Sequence, residues 1–270
     1  MSTIALRRYP PWKVPLRRYL DLLKILVVRN LKVRYRGSTL GVYWSLLNPV
    51  LMTLVYTGVL SSIFARYYNG VVVNYMLAVF CGMVVINFFS TSTTTALPSI
   101  VGNGILLNKI ALPMSVFPLS AIVASIFQLA VGAFPILVLM TLIFSKNPLN
   151  VLFLFGPMLG LILFSIGVAF FVSMAYVYFR DVPYLYELVI FVMWVTSPVF
   201  YPLASMPRHL QLILRWNPLT SIIESLRQIV LSGAMPDLRL IAQSLLAGGV
   251  VAFVGWALFR QYRDDFMDLL

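Results

Sequence analysis

Six long stretches of this chain carry no charged side chain, and that leaves it few ways to fold. They run between Arg36 and Arg66, Arg66 and Lys109, Lys109 and Lys146, Lys146 and Arg180, Glu187 and Arg208, and Arg239 and Arg260. Each can supply a membrane-spanning helix, which needs about 20 apolar residues. Six spans are therefore expected, at 43–65, 75–98, 114–144, 151–178, 184–203 and 239–259. Composition agrees. Of 270 residues, 61% are hydrophobic and 10% charged, whereas a soluble domain carries about 25% charged residues. Mean hydropathy is +0.93. A soluble fold of this length would lack the polar surface to cover itself. The chain reads as an all-α integral membrane protein, one transmembrane domain over residues 1–270, with no internal repeat.

The net charge of +12 does not point to nucleic acid, because the cations are not spread over a surface. Ten of the twenty Lys and Arg precede residue 43. A basic segment leading into an apolar span belongs on the cytoplasmic side, beside anionic lipid. With the N-terminus inside, fourteen cations fall on inner segments and six on outer ones, so both termini are expected in the cytoplasm. Arg208, Arg215, Arg227 and Arg239, between spans five and six, run against that count. No cleavable signal peptide is expected, since the start is basic for too long and no short apolar core follows.

Residues 16–36 read as an amphipathic interface helix. Leu16, Leu20, Leu23, Val27 and Leu31 recur at helical spacing, with Arg17, Arg18, Asp21, Lys24, Arg29 and Lys32 opposite them. Ile25 and Val28 blur the polar face. Pro10, Pro11 and Pro15 suggest an irregular lead-in. Arg29, Lys32, Arg34 and Arg36 crowd the end of the helix, and Tyr43 and Trp44 stand where charge gives way to apolar sequence. Amphipathic rings favour that boundary. General attraction to anionic lipid would explain the cations. For the helix itself, a generic membrane-surface role and the sharper reading, a docking platform for a cytoplasmic partner, are compatible.

The connections carry further signals. Ser99 to Pro113 holds Gly102, Asn103, Gly104, Asn108 and a single cation, Lys109. So little charge on a cytoplasmic loop suits either buried contact with another subunit or a loop resting on the bilayer. Asn147-Pro148 suits a helix N-cap followed by proline in the first turn. Arg180 and Asp181 fill a short internal connection, where they can pair with each other or with the basic helix. Residues 204–237 are too polar to span and too apolar for a free loop. Met206-Pro207 and Asn217-Pro218 look like helix starts; Ile222, Ile223, Leu226, Ile229 and Val230 then share a face, and Ser232-Gly233 ends the run. Glu224 and Arg227 can pair at i,i+3. These features give two short helices dipping into the outer leaflet as a re-entrant external hairpin, tolerable where protein or water satisfies the backbone.

Several chemistries are missing. Gly102 to Lys109 lacks the second glycine and the hydroxyl residue of a phosphate loop, so the chain is not expected to hydrolyse ATP. One histidine, His209, and one cysteine, Cys81, make a catalytic triad or a metal cluster improbable. Asp264-Asp265 is a weak metal candidate. The spans lack the buried charges of an ion-coupled carrier. Aromatics are abundant instead, at 14%. Tyr43, Trp44, Tyr56 and Phe64 belong to span one, and Phe191, Trp194, Phe200 and Tyr201 to span five. They read as interface belts or as an aromatic channel wall on which sugar rings could slide.

Four stretches in order carry a resemblance. Lys32-x-Arg34-Tyr35-x5-Gly41-x2-Trp44-x4-Pro49 resembles the start of the membrane subunit of bacterial ABC transporters that export surface polysaccharide, with the O-antigen permeases the nearest match. Leu106 to Pro113 is similar to the family's coupling segment, Tyr178 to Val182 to its loop before span five, and Ser197 to Tyr201 with Met206-Pro207 and Asn217-Pro218 to its external gate. The resemblance implies six spans, an interface helix, two re-entrant helices, and a homodimer enclosing one channel in the bacterial inner membrane. It implies two copies of a separate ATPase, which hold the ATP and Mg, and a polysaccharide cargo on a polyprenyl diphosphate lipid. On that reading Arg29, Lys32, Arg34 and Arg36 meet the lipid diphosphate, and Tyr43, Trp44, Tyr56, Trp194, Phe200 and Tyr201 line the channel. Gly102, Asn103, Gly104, Asn108, Lys109, Arg180 and Asp181 couple to the ATPase, and Pro207, Asn217, Pro218, Glu224 and Arg227 form the external gate. A teichoic acid or capsule exporter remains an alternative, and a membrane enzyme acting on lipid-linked sugar a more distant one.

Overall fold

The computed structural model describes residues 15–109, 112–145, 147–232, 235–263 and 266, without the side chains of Asn108 and Lys109. The lead-in up to residue 14, Lys146, Gly233 and Asp264-Asp265 lie outside the described residues. Those described are almost entirely helical and include no strand. In chain order the helices are α1 Leu16–Tyr35, α2 Trp44–Phe64, α3 Val72–Ala96, α4 Gly104–Lys109, α5 Val116–Val131 and α6 Ala133–Met140. There follow α7 Asn150–Phe153, α8 Phe155–Tyr178, α9 Val182–Thr196, α10 Arg208–Arg215, α11 Pro218–Leu231 and α12 Leu238–Tyr262.

Four helical stretches are long and apolar enough to cross a membrane: Gly41–Tyr68, Val72–Ser99, Asn150–Tyr178 and Leu238–Tyr262. A fifth is made if α5 and the run Ala133–Ser145 count as one span, bent by 43°. The bend falls at Gly132, whose backbone leaves helical geometry at φ −92, ψ −95. Pro135, just beyond, has no N–H to offer the carbonyl of Val131. The predicted span 184–203 is shorter than expected: α9 stops at Thr196, after 15 residues. Ser197 turns extended (φ −81, ψ 136) because Pro198 follows it and disfavours the helical conformation. At about 1.5 Å per residue α9 falls short of a 30 Å hydrocarbon core.

Helix α3 is the hub. Tyr75, Val79, Phe80, Val84, Ile86 and Phe89 along it are buried with Leu161 and Phe164 of α8 and with Leu219, Ile223, Leu226 and Val230 of α11. Helices α8 and α12 pack by a different device. Gly160 and Gly167 face Ser244, Gly248, Val251 and Gly255, and a Cβ added at any of these four glycines would strike the opposite backbone. Lipid offers no hydrophobic drive between helices, so small residues that let backbones approach take its place.

Helix α1 is held against α5 along its length. The Tyr19 hydroxyl lies 3.2 Å from Ser115 Oγ, Asn30 Nδ2 donates to Ser120 Oγ at 3.0 Å, and Tyr35 reaches toward Gln128. The packed face differs from the predicted one. Leu26 is buried with Tyr19, Leu22 and Leu23 beside it, while Leu16 and Leu20 are 73% and 52% exposed. The helix is apolar on more than one side, and α5 selects the side that meets protein. At this end Leu26, Leu107, Phe117, Met174, Val177, Phe259 and Phe266 form a second core, joining α1, α4, α5, α8 and the end of α12.

Candidate functional site

Two regions at opposite ends of the bundle gather the residues singled out from the sequence. At the α1 end, the linker from α1 to α2 turns through Gly37 (φ +78) and Gly41 (φ +47), a left-handed geometry that glycine adopts without strain. Ser38 Oγ accepts from the Gly41 amide at 3.0 Å. The turn lays the start of α2 over a cavity of about 190 Å³ whose walls include Arg34, Tyr35, Trp44, Asn87, Ser125 and Gln128. Gly132 makes the close approach possible, since a Cβ there would lie 2.6 Å from Ser45 Oγ. Burial pushes the Tyr35 hydroxyl above its usual pKa, with Arg34 and the Gln128 side chain opposing.

The four clustered cations separate. Arg34 borders the cavity, whereas Arg29 turns to the segment before α4, where its Nη1 donates to Asn103 Oδ1 at 2.8 Å. Arg29 is therefore a tether between α1 and that segment, since its guanidinium already meets an amide oxygen one helix away. Lys32 and Arg36 are exposed. Asn103 also donates from Nδ2 to the Ser99 carbonyl at 2.6 Å, which folds residues 97–103 into two short 3-10 turns before α4. Gly102 is exposed, Gly104 is buried, and the side chains of Asn108 and Lys109 lie outside the described residues. Arg180 stacks over Tyr176 at 5.7 Å, and exposed Asp181 precedes α9 without capping it through its side chain.

At the α10 end, the loop after α9 is clasped from three directions. Arg227, buried in α11, donates from Nε to the Ala78 carbonyl (3.0 Å), from Nη2 to Val199 (2.7 Å) and from Nη1 to Tyr201 (3.4 Å). The Tyr75 hydroxyl donates to the Phe200 carbonyl at 2.8 Å. Asn217 caps α11 by accepting from the Leu219 amide at 2.9 Å, and its Nδ2 reaches Ser197 Oγ at 3.0 Å. Gly82 lets α3 lie against Val199, where a Cβ would come within 2.9 Å of its Cα. The expected Glu224–Arg227 ion pair does not form. Helical spacing permits it, but the guanidinium turns to the Val199 and Tyr201 carbonyls of the non-helical loop and to the Ala78 carbonyl of α3. Glu224 instead borders a cavity of about 560 Å³ with Arg215, Trp216 and Gln243. Pro207 precedes α10 in extended geometry (φ −56, ψ 149).

Of the six aromatics, three meet. The Tyr56 and Phe200 rings stand 3.9 Å apart, with Trp194 4.9 Å from Phe200 and 6.1 Å from Tyr56. Tyr201 lies alongside, its hydroxyl donating to the Val195 carbonyl at 3.1 Å. Tyr43 and Trp44 sit at the opposite end of α2 and are exposed. Asn147 accepts from the Leu149 amide (3.1 Å) in a turn, and α7 starts at Asn150, two residues later than an Asn147 cap with Pro148 in first position predicts. Tyr75, Gly82, Asn87, Ser125 and Gly132 escaped sequence reasoning. Small and hydroxyl residues within apolar runs give no periodic signal; only Gly132, three residues before Pro135, hinted at a break.

A helical bundle with several spans long and apolar enough to cross a membrane and with apolar outer faces defines an integral membrane protein. The particular family follows from the sequence: the chain belongs to the ABC-2 type transporters, whose profile matches residues 21–231. It is thus an integral membrane protein and a transport subunit, not an enzyme, and the family implies an ABC ATPase partner. It is 28% identical over 253 residues to the O-antigen export system permease protein RfbA of Klebsiella pneumoniae, covering 93% of this chain and 95% of that one. The Myxococcus xanthus protein of the same name is 27% identical over 254 residues, with the same coverage. The polysialic acid transport protein KpsM of Escherichia coli is 23% identical over 247 residues, 88% of this chain and 92% of its own.

Proposed function

We propose that this chain is the permease subunit of an ATP-driven exporter that moves O-antigen-type polysaccharide, linked to polyprenyl diphosphate, across the bacterial inner membrane. The observation that carries the reading is the match to O-antigen permeases over 93% of the chain. Capsule export is the second reading, favoured only by the weaker likeness to KpsM. Six spans are completed when α9 and the loop after it cross together, with α10 and α11 as the re-entrant hairpin and both termini in the cytoplasm. Two copies then enclose one channel. Support comes from the outward apolar face of α9 (Leu185, Leu188, Phe191), which is exposed in a single chain.

Two ATPase copies, holding ATP and Mg, drive the cycle by pushing the segment around α4 and the Arg180-Asp181 turn. Arg29 passes that push to α1 through Asn103. Arg34, with Lys32 and Arg36 nearby, receives the lipid diphosphate, and Tyr56, Trp194 and Phe200 offer rings to the sugar chain. Pro207, Asn217, Pro218, Glu224 and Arg227 belong to the external gate. Deleting the gene should leave lipid-linked polymer on the cytoplasmic face and remove it from the surface, with restoration by a plasmid copy. Normal surface polymer in the deletion strain overturns the reading. Purified protein alone, in vesicles without ATP, should move nothing.

A further inference from the structure

The cavity at the turn from α1 into α2 holds more than the sequence suggested. Three buried polar atoms in its lining residues have no hydrogen-bond partner among the described residues: Ser125 Oγ and Gln128 Nε2 on α5, and Asn87 Nδ2 on α3. A buried polar group left unpaired is uncommon and calls for an explanation. All three can donate, and the Tyr35 hydroxyl adds a further donor beside them. Arg34 supplies a positive charge, and among the described residues no Asp or Glu lines the space. Such a wall suits an acceptor-only, negatively charged group. At roughly 30 Å³ per water, a volume near 190 Å³ equals about six waters, enough for one or two phosphoryl groups.

The rim indicates how that group arrives. Trp44 and Asn48 border the cavity and are exposed on α2. One turn apart, they head a stripe continued by exposed Leu51, Met52, Val55 and Val59. This stripe faces lipid in a single chain. A hydrocarbon tail can lie along it with its head turned inward at Trp44. The geometry points to a phosphate headgroup site, for a phosphate or diphosphate carried on a lipid, with Arg34 as the charge and Ser125, Asn87, Tyr35 and Gln128 as donors. The assignment rests on the exporter reading above and gives its lipid a receiving site of named residues, most of them outside the basic cluster.

The test uses the full-length chain in detergent and native mass spectrometry, with polyprenyl diphosphate, phosphatidylglycerol and inorganic diphosphate as separate probes. Wild type should retain polyprenyl diphosphate. Arg34→Gln should weaken retention about tenfold, and Ser125→Ala and Asn87→Leu about threefold each. Ser125→Ala should leave the lipid-free melting temperature unchanged or raised, because the lost hydroxyl had no partner. A merely structural hydroxyl would lower it without touching retention. Equal retention of phosphatidylglycerol, equally weakened by the variants, identifies bulk phospholipid as the source of the same headgroup chemistry. Retention of inorganic diphosphate, weakened likewise, means the phosphate is recognised without its tail. Wild-type retention of all three probes by all three variants overturns the site. That failure would leave the gene-deletion result untouched, so the site and the exporter reading fail separately.

Discussion

Arg227 carries a full charge on a helix otherwise packed with Leu, Ile and Val, and an ionised side chain in such surroundings needs partners. It finds them in carbonyls. The loop from Ser197 to Pro202 has left helical geometry, so the Val199 and Tyr201 carbonyls have no intrahelical partner, and the guanidinium reaches both together with the Ala78 carbonyl of α3. A lysine can meet at most part of that fan. Arg227→Ala should cost about 3 kcal/mol, since hydrogen bonds to a charged group contribute about 1.5–3 kcal/mol each and buried carbonyls are left bare. Arg227→Lys should recover a fraction of that loss. Thermal melting of the purified chain reads both, and a Glu224→Gln variant should melt as wild type because no ion pair joins the two. The sequence marked Arg227 as important but assigned it the wrong partner. Spacing within one helix is visible in a sequence; a loop 28 residues upstream bending back to meet it is not.

Among elements, the α8–α12 contact has the sharpest requirement. Gly160 and Gly167 on one helix meet Gly248 and Gly255 on the other, backbone against backbone. Gly255→Val should force the helices apart and cost about 3 kcal/mol. Gly249→Ala, one residue from the seam with nothing within 4 Å of its Cβ, should be neutral. Thermal melting and monodispersity on size-exclusion chromatography compare them, and equal behaviour of the two variants would discard the seam. The extents of α2, α3, α8 and α12 were legible because a charge-free run long enough to span has few other uses. The start of α11 was legible too, since Asn217-Pro218 is a cap followed by a residue preset for a first turn. The breaks were harder to see. Gly132 and Ser197 interrupt runs that remain apolar on both sides, so hydropathy passes over them. The packed face of α1 was hidden for a related reason: the helix offers leucines in several directions, and its partner decides among them.

For the whole molecule, the tether between Arg29 and Asn103 matters most. It joins the helix that leads to the Arg34 cavity with the segment proposed to meet the ATPase, and Leu26 and Leu107 share one buried core beneath it. Arg29→Ala or Asn103→Ala should leave complex assembly and ATP hydrolysis near normal while surface polymer falls about tenfold, the size of a typical coupling energy. Unchanged export in both variants would remove the tether from the mechanism. The α8–α12 seam also bears on how the protein is made. Helix α12 is synthesised about 60 residues after α8 ends, and until it is inserted the carbonyls along Gly160 and Gly167 look out on lipid from an unfilled groove. The α1-end core is open for as long, because Phe259 of α12 and Phe266 beyond it close it. A ribosome stalled before residue 238 therefore holds a bundle lacking its keystone, a ready target for membrane proteolysis. Chains truncated there should be degraded rapidly in pulse–chase labelling, and co-expressing α12 as a separate peptide should lengthen their survival.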